Sequence, residues 1–495
     1  MALQQKVRSC GSHMKATQRC WHVTVSIIML AGPMSWAGKK EVVFNVPMGH
    51  SLASSSSRPH FVGKQLSPRP AVGGASSEPT AEIGTNAAGV NLAKNIVGSG
   101  ILSLPSGVAA FSASTTALVP AITLLALSAL LSAYTFYLIG RVCSETEAST
   151  FGSSWERSVG RGAWVPQLTC ILECLGGSIV YAMVIGDVLS SFGHQIGAHL
   201  PAVLCSRSSL LILVAVFVLF PLCCLRSFGS LAKFSALGTL ATTYAVLFVT
   251  KRYFDGSYGP LGAYHTGAAL PILDSHWGGL NIHILVLISI LSTAYLVHFN
   301  APQMFDELRL KKTSDPRKDA TESQSRFGVV SFIGFGISAA QYALIMVFGF
   351  LTFGRATQGN LLLNYSSADP WAAVARAAIG GSVLTGYPMQ FAGLRSGLLE
   401  AFGKTPSLPT VPHRLFTAFL LSAVVCIACL FRDLGKFQAV EGALLATFLI
   451  YIAPPVMALG LGLGSKLRAR LCYWFMIVLG IGFCSVGCIV TMRPF

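Results

Sequence analysis

The segment Asn95-Ile96-Val97-Gly98-Ser99-Gly100-Ile101-Leu102-Ser103-Leu104-Pro105 sets an amide, hydroxyls and two glycines inside an apolar stretch that runs from about 87 to 111. A stretch of that length can cross a bilayer, which takes about 20 apolar residues as a helix. Its centre, Gly98-Ser99-Gly100, is the weakest helix-forming part of it. Backbone that leaves the helix at membrane depth must find partners in protein or in a watery cavity. The triplet therefore predicts a helix broken on purpose. The second half, starting at Ser99-Gly100-Ile101, then offers free N–H groups and the positive end of a helix dipole, which suit a carboxylate. The carbonyls that end the first half suit an ammonium group or a metal cation.

A second interruption reads Ser292-Thr293-Ala294-Tyr295-Leu296-Val297-His298-Phe299-Asn300-Ala301-Pro302. Two broken helices facing each other would present both poles, which matches a zwitterion such as an amino acid. Gly98, Ser99, Gly100, Thr293 and Tyr295 are the expected substrate contacts. Asn95, one turn before the first break, has an amide oxygen suited to sodium or to the substrate amine; a helix-packing hydrogen bond is the plainer role. Thr385, near Ser382, Gly386 and Pro388, offers a hydroxyl to complete a cation site with Asn95. His298 is either a proton-coupling group, since imidazole titrates near neutrality, or a satisfied structural histidine. Lys94 either snorkels to the surface or stands in for a coupling cation. Glu173, Asp187 and Arg376 are further charges inside apolar segments, where such residues are functional candidates; a Glu173–Arg376 pair would be structural, and Asp187 lies near a segment end. No organic cofactor is implied; Na+ or H+ is the expected coupling ion.

The elements that position these groups are apolar throughout. Of 495 residues, 53% are hydrophobic and 11% charged, against about 25% charged in soluble domains, and the mean hydropathy is +0.62. This describes a multi-pass all-α membrane protein, with lipid and a small solute as its partners. The net charge of +16 is not read as nucleic-acid binding, because much of it lies in the N-terminal segment and a few loops. Residues 1–85 form a basic, then Ser/Pro/Gly-rich region, expected to be a largely disordered cytosolic tail or a targeting segment; 86–495 form the membrane domain. Eleven spans are expected: 86–112, 115–140, 164–192, 208–225, 229–250, 281–303, 327–353, 370–394, 414–431, 438–461 and 470–491. With the N-terminus inside, the inner loops collect Arg141, Arg157 and Arg161, the run from Arg309 to Arg326, and Lys466, Arg468 and Arg470, as the positive-inside rule requires. Lys251-Arg252 run against it. Asn364-Tyr365-Ser366 is a glycosylation sequon on the expected outer side. The 13 cysteines fall mostly in apolar runs and read as small buried hydrophobes; Cys205 alone is expected in an outer loop. The interrupted spans are the first and the sixth, the spacing of two inverted five-helix repeats with paired discontinuous helices. No nucleophile motif or metal-ligand cluster suggests an enzyme.

The run Asn95 to Pro105 resembles the first-span signature of the amino acid/auxin permease family, in the branch of the system A/N neutral amino acid transporters and the vacuolar amino acid transporters. His298-Phe299-Asn300-Ala301-Pro302 with Phe305-Asp306-Glu307-Leu308 resembles that branch's sixth span and exit. Pro221-Leu222 with Arg226 and Leu231 to Ser235 looks like its fourth-to-fifth linkage, and Gly442-Ala443 through Pro454-Pro455 like its tenth span. The resemblance covers about 86–495. It implies eleven transmembrane helices in an inverted five-plus-five repeat, and secondary active amino acid transport coupled to sodium or protons at a plasma or vacuolar/endolysosomal membrane. In the sodium-coupled branch the position of Asn95 and a span-eight threonine belong to the ion site; Leu384-Thr385-Gly386-Tyr387-Pro388 departs from the usual span-eight spacing. The rival expectation is a transporter-like sensor that binds an amino acid without moving it.

Overall fold

The computed structural model describes residues 84–196, 206–225, 235–265, 281–309, 316–403 and 408–491. The N-terminal region expected as a tail, Cys205 and the linkage at Arg226 lie outside the described residues.

The elements are helices. The first apolar segment folds as α1 (Thr85–Ile96) and α2 (Leu104–Phe111), the latter entered through a 3-10 turn at Ser99–Ser103. Then follow α3 (Leu118–Thr146), α4 (Phe151–Val159), α5 (Trp164–Ile196), α6 (Arg207–Cys223) and α7 (Ser235–Phe254). The sixth segment is again two pieces, α8 (Ile284–Ala294) and α9 (Ala301–Leu308). The remainder is α10 (Pro316–Phe353), α11 (Pro370–Ala401), α12 (Thr410–Leu430), α13 (Leu434–Gly460) and α14 (Leu467–Thr491). Among the described residues, seven helices are long and apolar enough to cross a membrane, and Ser99–Phe111 and Arg207–Cys223 are shorter apolar helices. The chain is a multi-pass membrane protein.

The loop expected between the second and third spans is instead the amphipathic helix α4. Thr150 and Ser153 cap it reciprocally, and Gly160 closes it at φ 81°. Its buried face, Phe151 and Trp155, packs under the end of α13, where Gly460 lies against the Ser158 carbonyl. α10 also starts earlier than expected: its polar first turns, ahead of 327, carry the helix beyond the apolar stretch, to ~57 Å at 1.5 Å per residue.

Small residues let the helices approach closely, as at membrane helix interfaces generally. α1 and α10 interlock by two such pairs. A methyl at Gly89 would lie 2.6 Å from Ile333 Cγ2, and one at Gly334 would lie 2.6 Å from Leu92 Cγ. α2 packs on α8 and α10, α3 on α10 and α13, α5 on α11 and α12, α7 on α11 and α10, and α8 on α13 and α14. The core of the body is therefore the region between α1/α2, α8/α9, α5, α10 and α13.

The two basic residues that oppose the loop charge bias have structural partners. The Arg252 guanidinium is buried and donates to both oxygens of Asp369, at 2.9 and 2.6 Å, and to Asp255. Asp369 also accepts from Tyr258 and caps α11 at Trp371. Lys251 pairs with Asp255 and sits over the Trp371 ring. The pair thus staples the end of α7 to the start of α11. Asp369→Ala removes one partner of a buried ion pair and is expected to destabilise the fold by about 3–5 kcal/mol. The readout is the thermal unfolding midpoint of detergent-solubilised protein; an unchanged midpoint would refute this role.

Candidate substrate site

At the first break, α1 ends at Ile96. The Val97 N–H returns to the Ala93 carbonyl at 2.8 Å and the Gly98 N–H to the Ile96 carbonyl at 2.9 Å. Gly98 is extended, at φ −110° and ψ −153°, and no side chain caps the turn that begins at Ser99. At the second break, α8 ends at Ala294. Tyr295 and Leu296 close the helix onto Leu291 and Thr293, Val297 leaves helical geometry, and no side chain caps the turn at His298–Asn300. The first N–H groups of a helix have no partner within it, so each break exposes donors at the start of its second half. The breaks touch: a methyl on Gly100 would lie 3.2 Å from Ala294 Cα.

The carbonyls ending the two first halves share one donor. The Tyr342 hydroxyl, carried on α10, lies 2.9 Å from the Ile96 oxygen and 2.7 Å from the Ala294 oxygen. It is fully buried. Sequence reasoning missed this residue. The available signal was a tyrosine amid apolar residues, whose hydroxyl must find a partner when buried.

The expected substrate contacts divide between surface and core. Gly98 is half-buried, and a side chain there would meet open space. Ser99 is buried beside it. Gly100 faces α8 rather than a cavity. Thr293 donates to the Gln438 carbonyl of α13 at 2.8 Å. Tyr295 is fully buried with its ring against Phe335 and Tyr342, and its hydroxyl has no partner.

The expected cation pair is not assembled. Asn95 is exposed, on a face with Asn91 and the partly exposed Lys94. Thr385 turns its hydroxyl back to the Gly381 and Ser382 carbonyls of its own helix. No hydrogen bond joins the two among the described residues. His298 is fully buried, with Nε2 at 3.1 Å from the Ser132 carbonyl and 3.0 Å from the Thr135 hydroxyl, both on α3. A carbonyl only accepts, so Nε2 is the donor to Ser132, and Nδ1 has no partner. The remaining intramembrane charges are settled differently from expectation. Asp187 is buried with Arg207 at 2.7 Å and Asn360 at 3.0 Å. Arg376 donates to the Leu362, Tyr365 and Ser366 carbonyls, not to Glu173.

The two ends of the site differ. At the entry to α2, the Ser103 hydroxyl donates to the Gly359 carbonyl at 2.7 Å, and a methyl on Gly359 would lie 3.0 Å from Gly435 Cα at the start of α13. That side is closed by backbone-to-backbone contact. On the α1 side, Gly98 and the polar face of Asn91 and Asn95 stand open.

This geometry agrees with what comparisons with known proteins show. A family model described as transmembrane amino acid transporter protein matches residues 81–493. The chain is 28% identical over 431 residues to amino acid transporter AVT6E of Arabidopsis thaliana, covering 81% of each chain. It is 25% identical to vacuolar amino acid transporter 5 of Schizosaccharomyces pombe, covering 74% of this chain and 81% of that one. It is also 25% identical to the putative sodium-coupled neutral amino acid transporter 11 of Danio rerio, covering 74% and 77%. Among solved structures, a manganese transporter mutant of Eremococcus coleocola shares the fold, with TM-score 0.51, 14% identity and coverage of 85% and 89%. Two broken helices meeting inside a helical membrane body, and a family match across nearly all of that body, lead to one conclusion: the chain belongs to the transmembrane amino acid transporter protein family.

Proposed function

We propose that this protein is a secondary active amino acid transporter that works by alternating access, coupled to protons or sodium, in the vacuolar/endolysosomal or plasma membrane that its relatives' names suggest. The observation that carries the reading is the meeting of the two breaks. Two uncapped helix starts offer N–H donors to a carboxylate, and two helix ends offer carbonyls to an ammonium group, at Gly100, Ala294 and Tyr342. The Ala294 carbonyl oxygen has a second lone pair, so the Tyr342 hydroxyl can remain while the substrate amine binds there; the Ile96 oxygen already accepts from the Gly98 N–H and faces Tyr342.

The packing pattern supports eleven spans in two inverted five-helix repeats. Numbering the spans so that α1/α2 is the first and α8/α9 the sixth, contacts occur in partner pairs when each span is exchanged for the one five away. α1 against α10 is matched by α8/α9 against α3; α5 against α12 by α11 against α6; α7 against α11 by α13 against α5; and α7 against α10 by α13 against α3. Such repeats rock about a central site. In this reading the closed face at Ser103, Gly359 and Gly435 is the outer gate, and the open face at Asn91, Asn95 and Gly98 leads to the cytosol.

Purified protein in liposomes is expected to show saturable uptake and counterflow from a panel of common amino acids, with sodium and pH gradients applied separately. Binding without flux would replace the transporter by a sensor. Tyr342→Phe leaves the Ala294 carbonyl without its side-chain donor and takes from Ile96 one of its two, at about 1–3 kcal/mol; uptake is expected to fall by about tenfold or more, with membrane insertion unchanged. Uptake equal to wild type would remove Tyr342 from the site. Gly98→Leu fills the open space before the helix starts, and Gly100→Leu collides with Ala294; both are expected to abolish uptake while Gly98→Ala retains it. Full uptake in both leucine variants would rule this site out.

A further inference from the structure

Glu173 on α5 and Glu441 on α13 are 7% and 6% exposed. Glu441 lies against Gly176, three residues along α5 from Glu173; a methyl on Gly176 would sit 2.8 Å from the Glu441 carboxyl carbon. Only a residue without Cβ admits the carboxyl group there. Oε2 of Glu173 and Oε1 of Glu441 have no hydrogen-bond partner. Neither has Oε1 of Gln438, which is 1% exposed and three residues before Glu441, on the same face of α13.

Among the described residues, no ion pair is formed by these oxygens. Arg207 on α6 is held by Asp187, Arg376 on α11 by loop carbonyls, and Arg395 on α11 by the Cys223 carbonyl and Thr417. The titratable neighbours on α5 are the thiols Cys170 and Cys174. α11 presents Gln390 to Gly177 and Gly393 to Cys174, and α8 presents the Thr293 hydroxyl, which is committed to the Gln438 carbonyl. Three acceptor oxygens on adjoining faces of α5 and α13 thus lack a donor, although the Gln390 amide nitrogen lies against neighbouring Gly177. Two carboxylates sharing such a place cannot both ionise. A single proton relieves the deficit: bound to one carboxyl oxygen, it removes one of the two like charges.

We propose that Glu173 and Glu441 jointly carry the coupling proton of the transport cycle. A carboxylate lone pair takes the proton from water on one side of the membrane, and the O–H bond breaks to return it to water on the other. The inference rests on the transport reading and names its coupling ion. The pair is linked to the substrate site in two ways. α13 passes from α-helix into a π turn at Gly442–Ala446, directly after Glu441, and π turns of this kind cluster at functional sites. The Thr293–Gln438 bond ties the same turn of α13 to the end of α8. Loss of the proton therefore loads charge onto an interface that bears on the second break.

The test uses wild type, Glu173→Gln and Glu441→Gln in sodium-free liposomes holding a pH-sensitive dye, with a radiolabelled mixture of the common L-amino acids as probe. Wild type is expected to show counterflow at equal pH, accumulation driven by a pH gradient, and proton movement with substrate. Each variant is expected to keep counterflow, which needs no net proton transfer, and to lose gradient-driven accumulation by about tenfold or more, along with the proton signal. Variants that accumulate as wild type does, or that lose counterflow while remaining monodisperse, overturn the proposal. So does wild-type accumulation that requires sodium. Absence of wild-type counterflow strikes the transport reading instead. Infrared difference spectra of wild type across pH supply a readout independent of the variants: a protonated-carboxyl band is expected, and its absence overturns the proposal.

Discussion

The structure depends on one hydroxyl set between two helix-ending carbonyls. A helix interrupted in a membrane leaves polar backbone where no bulk water reaches, and each unsatisfied group there costs several kcal/mol. The Ile96 and Ala294 carbonyls end the two first halves, and the Tyr342 hydroxyl lies within hydrogen-bond distance of both. One side chain of α10 thereby holds both interruptions at a fixed distance. The same helix clasps α1 through the Gly89/Ile333 and Leu92/Gly334 contacts, so the first break is positioned by packing along its length and by a hydrogen bond at its end. Movement of α1 relative to α8 must strain or release that bond.

Around this centre the buried charges fall into two groups. Arg252 with Asp369, Arg207 with Asp187, and Arg376 with its three carbonyls are satisfied and join helices near loop ends. They fix relative positions and leave no free valence. Glu173 and Glu441 are the opposite case: each has a buried oxygen with no hydrogen-bond partner, and among the described residues neither forms an ion pair. In an apolar interior a satisfied network rigidifies, whereas an unpaired polar group is costly to bury. The distribution gives the arginines to architecture and sets the glutamates apart from it, which is where the proposed proton site lies.

The broken helices were legible in the sequence because their cause is local. Gly98-Ser99-Gly100 and the Tyr295 to Pro302 run are poor helix formers in any surroundings, and the structure interrupts both. The charge bias of the loops was countable in the same way, whereas the partner of Arg252, which runs against it, stands 117 residues away at Asp369. Asn95 and Thr385 were another matter. Their residue types suit a shared cation, but Thr385 is near enough to its own helix carbonyls to bond them, and Asn95 faces outward from α1. Side-chain type states what a group can bind; only the packing of α1 against α10 decides which way it points.

By itself, then, the sequence determined that the chain lies in a membrane, where its helices give way, and that the freed backbone suits a dipolar solute. Those properties follow from hydrophobicity and local propensity, which each residue carries wherever it stands. The tertiary structure alone decided that Tyr342 ties the two helix ends, that Arg376 meets carbonyls and not Glu173, and that Glu441 comes to rest against Gly176 beside Glu173. These are contacts between residues far apart in the chain, and no local pattern encodes them, because their energy exists only once the helices have closed around each other.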